Sequence, residues 1–186
     1  MEIPPPWMLG VFYVVSEILL GLNRHSRGAD QSRDRHSLRV LWLVIGIAVT
    51  ASVFAANLFR FAQLNQRSLG LVGLVLFGAG ILLRWYAIIH LGRFFTVDVA
   101  ISSEHRVIDS GPYRFVRHPS YSGALLAFVG VGLCMRNWVS LLVLIVPVTA
   151  AFLWRIRIEE QALIDGLGDD YRRYAAQTKR LIPGLY

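Results

Sequence analysis

Val40-Leu-Trp-Leu-Val-Ile-Gly-Ile-Ala-Val-Thr-Ala-Ser-Val-Phe-Ala-Ala-Asn-Leu-Phe59 is a run of twenty residues without one charge. About twenty apolar residues are what an α-helix needs to cross the hydrocarbon core of a bilayer. A second charge-free run, at 138–154, carries the same message near the C-terminal end. Further apolar stretches at 5–22, 69–92 and 121–135 bring the expected spans to five, and the last span keeps its helical pattern to 163. The whole chain agrees with this. Its 186 residues are 55% hydrophobic and only 17% charged, with a mean hydropathy of +0.50, where a soluble domain carries about 25% charge. The expectation is an all-α integral membrane protein forming one domain over 1–186. Disorder, a collagen-like repeat and a disulfide scaffold are excluded by the same numbers. The one cysteine, Cys134, allows no internal disulfide and no cysteine-based metal site, and no metal is expected. In its apolar run it reads as a small core residue.

The basic residues set the expected orientation. Fifteen Lys and Arg fall in 23–39, in 93–120 and from 155 onward, whereas Arg60, Arg67 and Arg136 stand alone in the alternate connections. Basic loops stay on the cytoplasmic side, so the N-terminus is expected outside and the C-terminus in the cytosol. The net charge of +7 is then a topology signal and not a nucleic-acid footprint. The first residues have no basic n-region and no small-residue cleavage site, so no cleaved signal peptide is expected. Spans four and five, separated by Arg136 and Asn137, read as a tight helical hairpin. Glu17 and Arg84 lie inside spans, toward their cytosolic ends. A charge in hydrocarbon costs several kcal/mol, so they read either as a structural pair, with Arg84 free to snorkel, or as the wall of a pocket. His90 reads equally either way.

Three segments carry chemistry, all on the cytosolic side. The first is Gly111-Pro-Tyr-Arg-Phe-Val-Arg-His-Pro-Ser-Tyr-Ser-Gly123. Its Gly-Pro and His-Pro pairs mark turns, and Pro119 suits the first turn of a helix. Free N–H groups at that helix start, near Ser120 and Tyr121, are able to attract a carboxylate or phosphate. The bland reading is an interfacial belt of Tyr and Arg. The second is Trp154-Arg-Ile-Arg-Ile-Glu-Glu-Gln-Ala-Leu163. Helical spacing puts Arg155 and Glu159 on one face, with Ile156 and Glu160 on a neighbouring one. An i, i+4 pair is ordinarily worth about 0.3–0.5 kcal/mol. A partly desolvated guanidinium emerging from the membrane is also a good bidentate clamp for a carboxylate or phosphate. The third is Gly166-Leu-Gly-Asp-Asp-Tyr-Arg-Arg-Tyr174, followed by Arg180-Leu-Ile-Pro183. It reads as a helix break, a short amphipathic helix with Asp169 and Asp170 at its start, and a structural lid. No G-x-G-x-x-G, Walker loop or H-E-x-x-H occurs. The pairs Gly78/Gly80 and Gly130/Gly132 fit helix packing.

Taken together and in this order, these segments resemble the isoprenylcysteine carboxyl methyltransferase family of integral membrane methyltransferases. The matching text is Leu91-Gly-Arg-Phe-Phe95, His105 to Ile108, Gly111-Pro-Tyr-Arg with Arg117-His-Pro-Ser-Tyr and Gly123, Arg155 with Glu159-Glu160 and Leu163, Gly168-Asp-Asp-Tyr171 with Tyr174, and Pro183. The related phospholipid N-methyltransferases share much of it. Two departures stand out: Leu167 replaces a frequent Phe, and eukaryotic members are longer with more spans. The resemblance implies S-adenosylmethionine as methyl donor. It implies a cofactor site of His105, Arg106, Val107, Ile108, Tyr113, His118, Pro119, Ser120, Tyr121 and Glu159, with Arg155 at the acceptor and Arg155 and Glu159 as the catalytic pair. The implied partners are membrane lipids and a lipophilic or lipidated-peptide acceptor, first of all a prenylcysteine-like carboxylate. A phospholipid or amine N-methyltransferase is the alternative, and a non-catalytic transporter or scaffold a second one. The membrane is the inner membrane of a prokaryote or the endoplasmic reticulum of a eukaryote, with the active site facing the cytosol.

Overall fold

The computed structural model describes residues 4–21, 32–92 and 106–186. Within them every named element is helical, apart from two isolated β-bridges. The helices are α1 (Pro6–Gly21), α2 (Ser32–Leu58), α3 (Arg67–Leu91), α4 (Pro119–Cys134), α5 (Trp138–Leu167) and α6 (Asp169–Gln177). The five apolar runs thus become α1 to α5. Three of them, 36–58 of α2 together with α3 and α5, are long and apolar enough to cross a membrane, while α1 and α4 are shorter apolar helices. Helix α2 begins ahead of the expected 40, because Ser32–Leu58 continues into the polar sequence before the apolar run. Helix α5 runs to Leu167, past the expected 163, and stops where Gly168 takes φ +58°. A left-handed residue at that position suits glycine.

Helix α3 packs along α4, α2 along α5, and α4 also meets α5, with α1 against α4. The α3–α4 seam is very close. A Cβ on Gly80 would lie 2.5 Å from the Gly123 carbonyl, and one on Gly130 would lie 2.5 Å from Gly73 O and Phe77 N. Bare glycine surfaces let helix backbones approach in this way. Gly80 and Gly130 therefore do the packing expected of them, and Gly132 faces Leu141, whereas Gly78 faces open space. Around the seam lies one core of Leu9, Tyr13, Phe77, Ile81, Phe128, Leu144, Val148, Phe152 and their neighbours. Outward, Leu43, Ile47, Phe54, Val75, Leu82 and Val146 are exposed, as a helix bundle in lipid requires.

The α4–α5 hairpin is as tight as expected. Arg136 sits at φ +50°, and the buried Asn137 caps α5 by accepting from the Ser140 N–H at 3.0 Å. Its Nδ2 donates to the Phe59 carbonyl at 2.9 Å, tying the end of α2 to the same turn. Asn137→Ala removes cap and tie together. The expected cost is about 2 kcal/mol, read as a fall of roughly 5 °C in the thermal midpoint of the detergent-solubilised protein.

Candidate active site

The charged pair inside the bundle is a structural one. Arg84 Nε and Nη2 donate to the two Glu17 oxygens at 2.5 and 2.6 Å, and Nη1 donates to the Ser120 carbonyl at 3.2 Å. One guanidinium thus ties α1 and α3 to the first turn of α4. His90 is a packing residue: its ring stacks on Tyr113, its Nε2 lies 2.9 Å from Ser110 Oγ, and Gly111 at φ +57° presses against it.

His118 precedes α4 as its N-cap residue. The helix start is less open to an anion than its sequence suggests. Pro119 has no N–H, and the His118 carbonyl accepts from the N–H groups of Tyr121 and Ser122 at 3.0 and 3.1 Å. What gathers there instead is side-chain charge from the end of α5. Glu159 Oε1 accepts from the Tyr121 hydroxyl at 2.5 Å and from Arg155 Nε at 3.0 Å, and Glu159 Oε2 lies 3.8 Å from His118 Nδ1. The other face of the same imidazole meets Glu160, with Nε2 to Oε1 at 3.3 Å. Of the expected site residues, Tyr121, His118, Arg155 and Glu159 are therefore in one cluster. Pro119 and Ser120 are buried in the same turn.

Arg155 is wholly buried rather than partly desolvated. Besides Glu159 it donates to Ser37 Oγ on α2. Tyr113 is buried on the 3₁₀ turn Gly111–Arg114, where its hydroxyl donates to the Ala87 carbonyl at 3.2 Å. Arg106 is exposed, and Val107 and Ile108 are half-buried in the irregular stretch that leads to that turn. His105 lies outside the described residues, as do Arg93, Phe94 and Phe95.

Several residues of this cluster stand in the matching sequence without a site role being assigned to them there. Glu160 is the hub of a second network, accepting from Arg117 Nε at 2.8 Å and from Arg180 Nε at 2.9 Å. Arg117 also donates to the carbonyls of Ala175 and Thr178. The tail is thereby strapped against the segment before α4. Lys179 O accepts from the Arg117 N–H at 2.7 Å, Arg180 O from the His118 N–H at 3.0 Å, and Leu181 O from Ser122 Oγ at 2.6 Å. Helix α6 adds Tyr174, whose hydroxyl donates to the Tyr113 carbonyl at 2.7 Å. Burial pushes the Tyr174 hydroxyl up to about 12 and the Tyr113 hydroxyl higher still. Adjacent like carboxylates such as Glu159 and Glu160 were the one available signal; nothing local links Ser37 to Arg155 across the chain.

A bundle with membrane-length apolar helices, carrying an Arg–Glu–His–Tyr cluster at one end, is an integral membrane protein with a polar site built on its helix termini. The family model described as the isoprenylcysteine carboxyl methyltransferase (ICMT) family matches residues 71–165. Protein-S-isoprenylcysteine O-methyltransferase B of Arabidopsis thaliana is 31% identical over 176 residues, which cover 93% of this chain and 88% of the relative. Protein-S-isoprenylcysteine O-methyltransferase of Schizosaccharomyces pombe is 32% identical over 127 residues, 67% of this chain and 52% of the relative. A solved structure of the eukaryotic intramembrane Ras methyltransferase ICMT shares the fold, with a TM-score of 0.60 and 23% identity, over 92% of this chain and 61% of that one. This chain belongs to the isoprenylcysteine carboxyl methyltransferase family, and is a membrane methyltransferase.

Proposed function

We propose that the chain transfers a methyl group from S-adenosylmethionine to the carboxylate of a hydrophobic or lipid-modified acceptor, prenylcysteine-like in chemistry, at a site on the cytosolic side. The observation that carries the reading is Glu159 shared by Tyr121 and Arg155 beside His118, which joins the two segments of family-like sequence in one cluster. The names of the Arabidopsis and fission-yeast relatives support the acceptor class. The charge bias of the connections supports five crossings with the N-terminus outside, α1 and α4 completing the set.

The side chains suit a sulfonium ligand. Glu159 and Glu160 flank His118 but are already paired with Arg155 and with Arg117 and Arg180, so the attraction for a sulfonium falls to the aromatic rings. The ring of Tyr121 lies 5.9 Å from that of His118 and 5.1 Å from that of Phe152, and aromatic faces attract compact cations. His105, Arg106, Val107, Ile108, Tyr113, His118, Pro119, Ser120, Tyr121 and Glu159 would hold the cofactor. Bound there, S-adenosylmethionine supplies an electrophilic methyl group on a positively charged sulfur.

The protein's own part is alignment and exclusion of water. A carboxylate acceptor, with an ordinary pKa of about 4, is ionised at neutral pH and needs no general base. Tyr113, buried, and Tyr174, half-buried, keep their protons there, so they act as donors and not as bases. Arg155 would orient the acceptor carboxylate through its N–H groups, with Glu159 and Ser37 holding the guanidinium in place. On the outer side of the helix that carries Ser37, Leu38, Arg39, Trp42 and Leu43 line a shallow, open surface. It offers apolar surface for an acceptor's hydrocarbon chain.

Two measurements test this reading. Calorimetry on the purified protein is expected to show S-adenosylmethionine binding, and its absence would remove the enzyme reading. With labelled methyl donor, a prenylcysteine analogue is expected to be methylated at a rate that is flat between about pH 6.5 and 8.5, because the acceptor is fully ionised throughout. An amine acceptor must lose a proton before attack. A steep rise with pH, together with preference for an amine lipid, would replace the carboxylate reading with the N-methyltransferase one.

A further inference from the structure

Among the described residues, three buried side-chain polar atoms have no hydrogen-bond partner: Trp85 Nε1, Ser140 Oγ and the Tyr171 hydroxyl. The first two lie within α3 and in the first turn of α5. Tyr171 is different. It stands in the first turns of α6 and is only 4% exposed. Its hydroxyl is close enough to Glu160 and Glu159 to feel both charges. Burial first, then the Glu160 charge, hold its proton on above the ordinary range for a phenol, against the opposing charge of Arg117. The neighbouring Tyr174 shows what a settled tyrosine looks like in this fold: its ring lies 6.0 Å from that of Tyr171, and its hydroxyl is bonded to the Tyr113 carbonyl.

An unmet buried hydroxyl destabilises a folded chain, because its bonds to water are lost and not replaced. A phenylalanine would pack the same space without that penalty. We propose that the Tyr171 hydroxyl is a ligand-binding group of the cofactor site, donating its hydrogen bond to a polar atom of S-adenosylmethionine. The assignment rests on the methyltransferase reading above. It makes α6 a wall of the site, where the sequence suggests only a structural lid. The strap that Arg117 makes to the Ala175 and Thr178 carbonyls then serves to hold Tyr171 at the ligand.

The test is Tyr171→Phe in the full-length, detergent-solubilised protein, with Tyr174→Phe as the contrasting variant. Without cofactor, Tyr171→Phe is expected to melt at or above the wild-type midpoint, whereas Tyr174→Phe melts lower because it loses the bond to Tyr113. By calorimetry, Tyr171→Phe is expected to weaken S-adenosylmethionine binding about tenfold, and the rise in midpoint on adding the cofactor shrinks accordingly. Wild-type affinity within twofold in Tyr171→Phe, or a clear fall in its cofactor-free midpoint, overturns the assignment while leaving the methyltransferase reading intact. Failure of the wild-type protein to bind S-adenosylmethionine sinks both.

Discussion

Glu160→Gln is expected to lower the thermal midpoint by on the order of 10 °C and to abolish measurable S-adenosylmethionine binding. One carboxylate serves three partners here: the guanidinium groups of Arg117 at 2.8 Å and Arg180 at 2.9 Å, and the imidazole of His118 at 3.3 Å. Its side chain is 9% exposed, as is that of Arg117, while Arg180 is one-third exposed. Removing one member of a buried ion pair costs about 3–5 kcal/mol, because the remaining charge is left in a poor solvent. Most of that cost falls on Arg117, since the exposed Arg180 is screened. In a chain of this size each kcal/mol shifts the midpoint by about 2–4 °C. The local consequence is larger than the number suggests. Arg117 also grips the Ala175 and Thr178 carbonyls, and the backbone N–H groups of Arg117 and His118 donate to the carbonyls of Lys179 and Arg180. With Glu160 neutral, the strap loses its central charge and His118 loses one of its two flanking carboxylates. Asp169→Asn is the control. Its ion pair with Arg172 is exposed on both sides, so its midpoint is expected to stay within about a degree of wild type. Equal midpoints for wild type and Glu160→Gln, measured by scanning fluorimetry, would show that this network carries no stability.

Why Glu159 was legible in the sequence and Glu160 was not follows from the geometry of a helix. The spacing of Arg155 and Glu159 is local, and a 3.6-residue period puts them on one face without any knowledge of the fold. The partners of Glu160 are 20 and 43 residues away, and no period relates them. The same contrast holds elsewhere. Charge-free runs announce α2 and α5 directly, and the Arg136-Asn137 hairpin follows from the shortness of the gap. The apolar stretches at 5–22 and 121–135 already mark α1 and α4 as shorter than α2, α3 and α5. Arg84 and Glu17 were read as a pair from the cost of burying either alone. That Arg84 also holds the Ser120 carbonyl depends on the α3–α4 seam, where Gly123 allows the Arg84 backbone to come within contact. Sequence patterns reveal elements and local pairs. Networks that close over long loops become visible only once the backbone has brought their members together.

Arg155→Lys is expected to lower kcat by about a hundredfold while leaving the affinity for S-adenosylmethionine within about threefold of wild type. Both side chains are cationic, so electrostatic attraction for an acceptor carboxylate is kept. The fork is not. Arg155 uses separate nitrogens for Glu159 on its own helix and Ser37 on α2, and a lysine ammonium presents one compact charge that cannot reproduce that planar spread. A carboxylate arriving at Arg155 competes with Glu159 and Ser37 for N–H groups. The guanidinium must be held firmly enough to orient the acceptor yet share enough of its charge with Glu159 not to quench the nucleophile. Lysine would settle on Glu159 and turn away from Ser37, removing alignment with little change in net charge. Alignment is realised in the transition state, so its loss is read in kcat rather than in binding of the donor. A hundredfold fall corresponds to about 2.7 kcal/mol, within reach of one lost bidentate contact. If Arg155→Lys methylated a prenylcysteine analogue at the wild-type rate, orientation by the fork would be excluded and Arg155 would be left with its structural bonds alone.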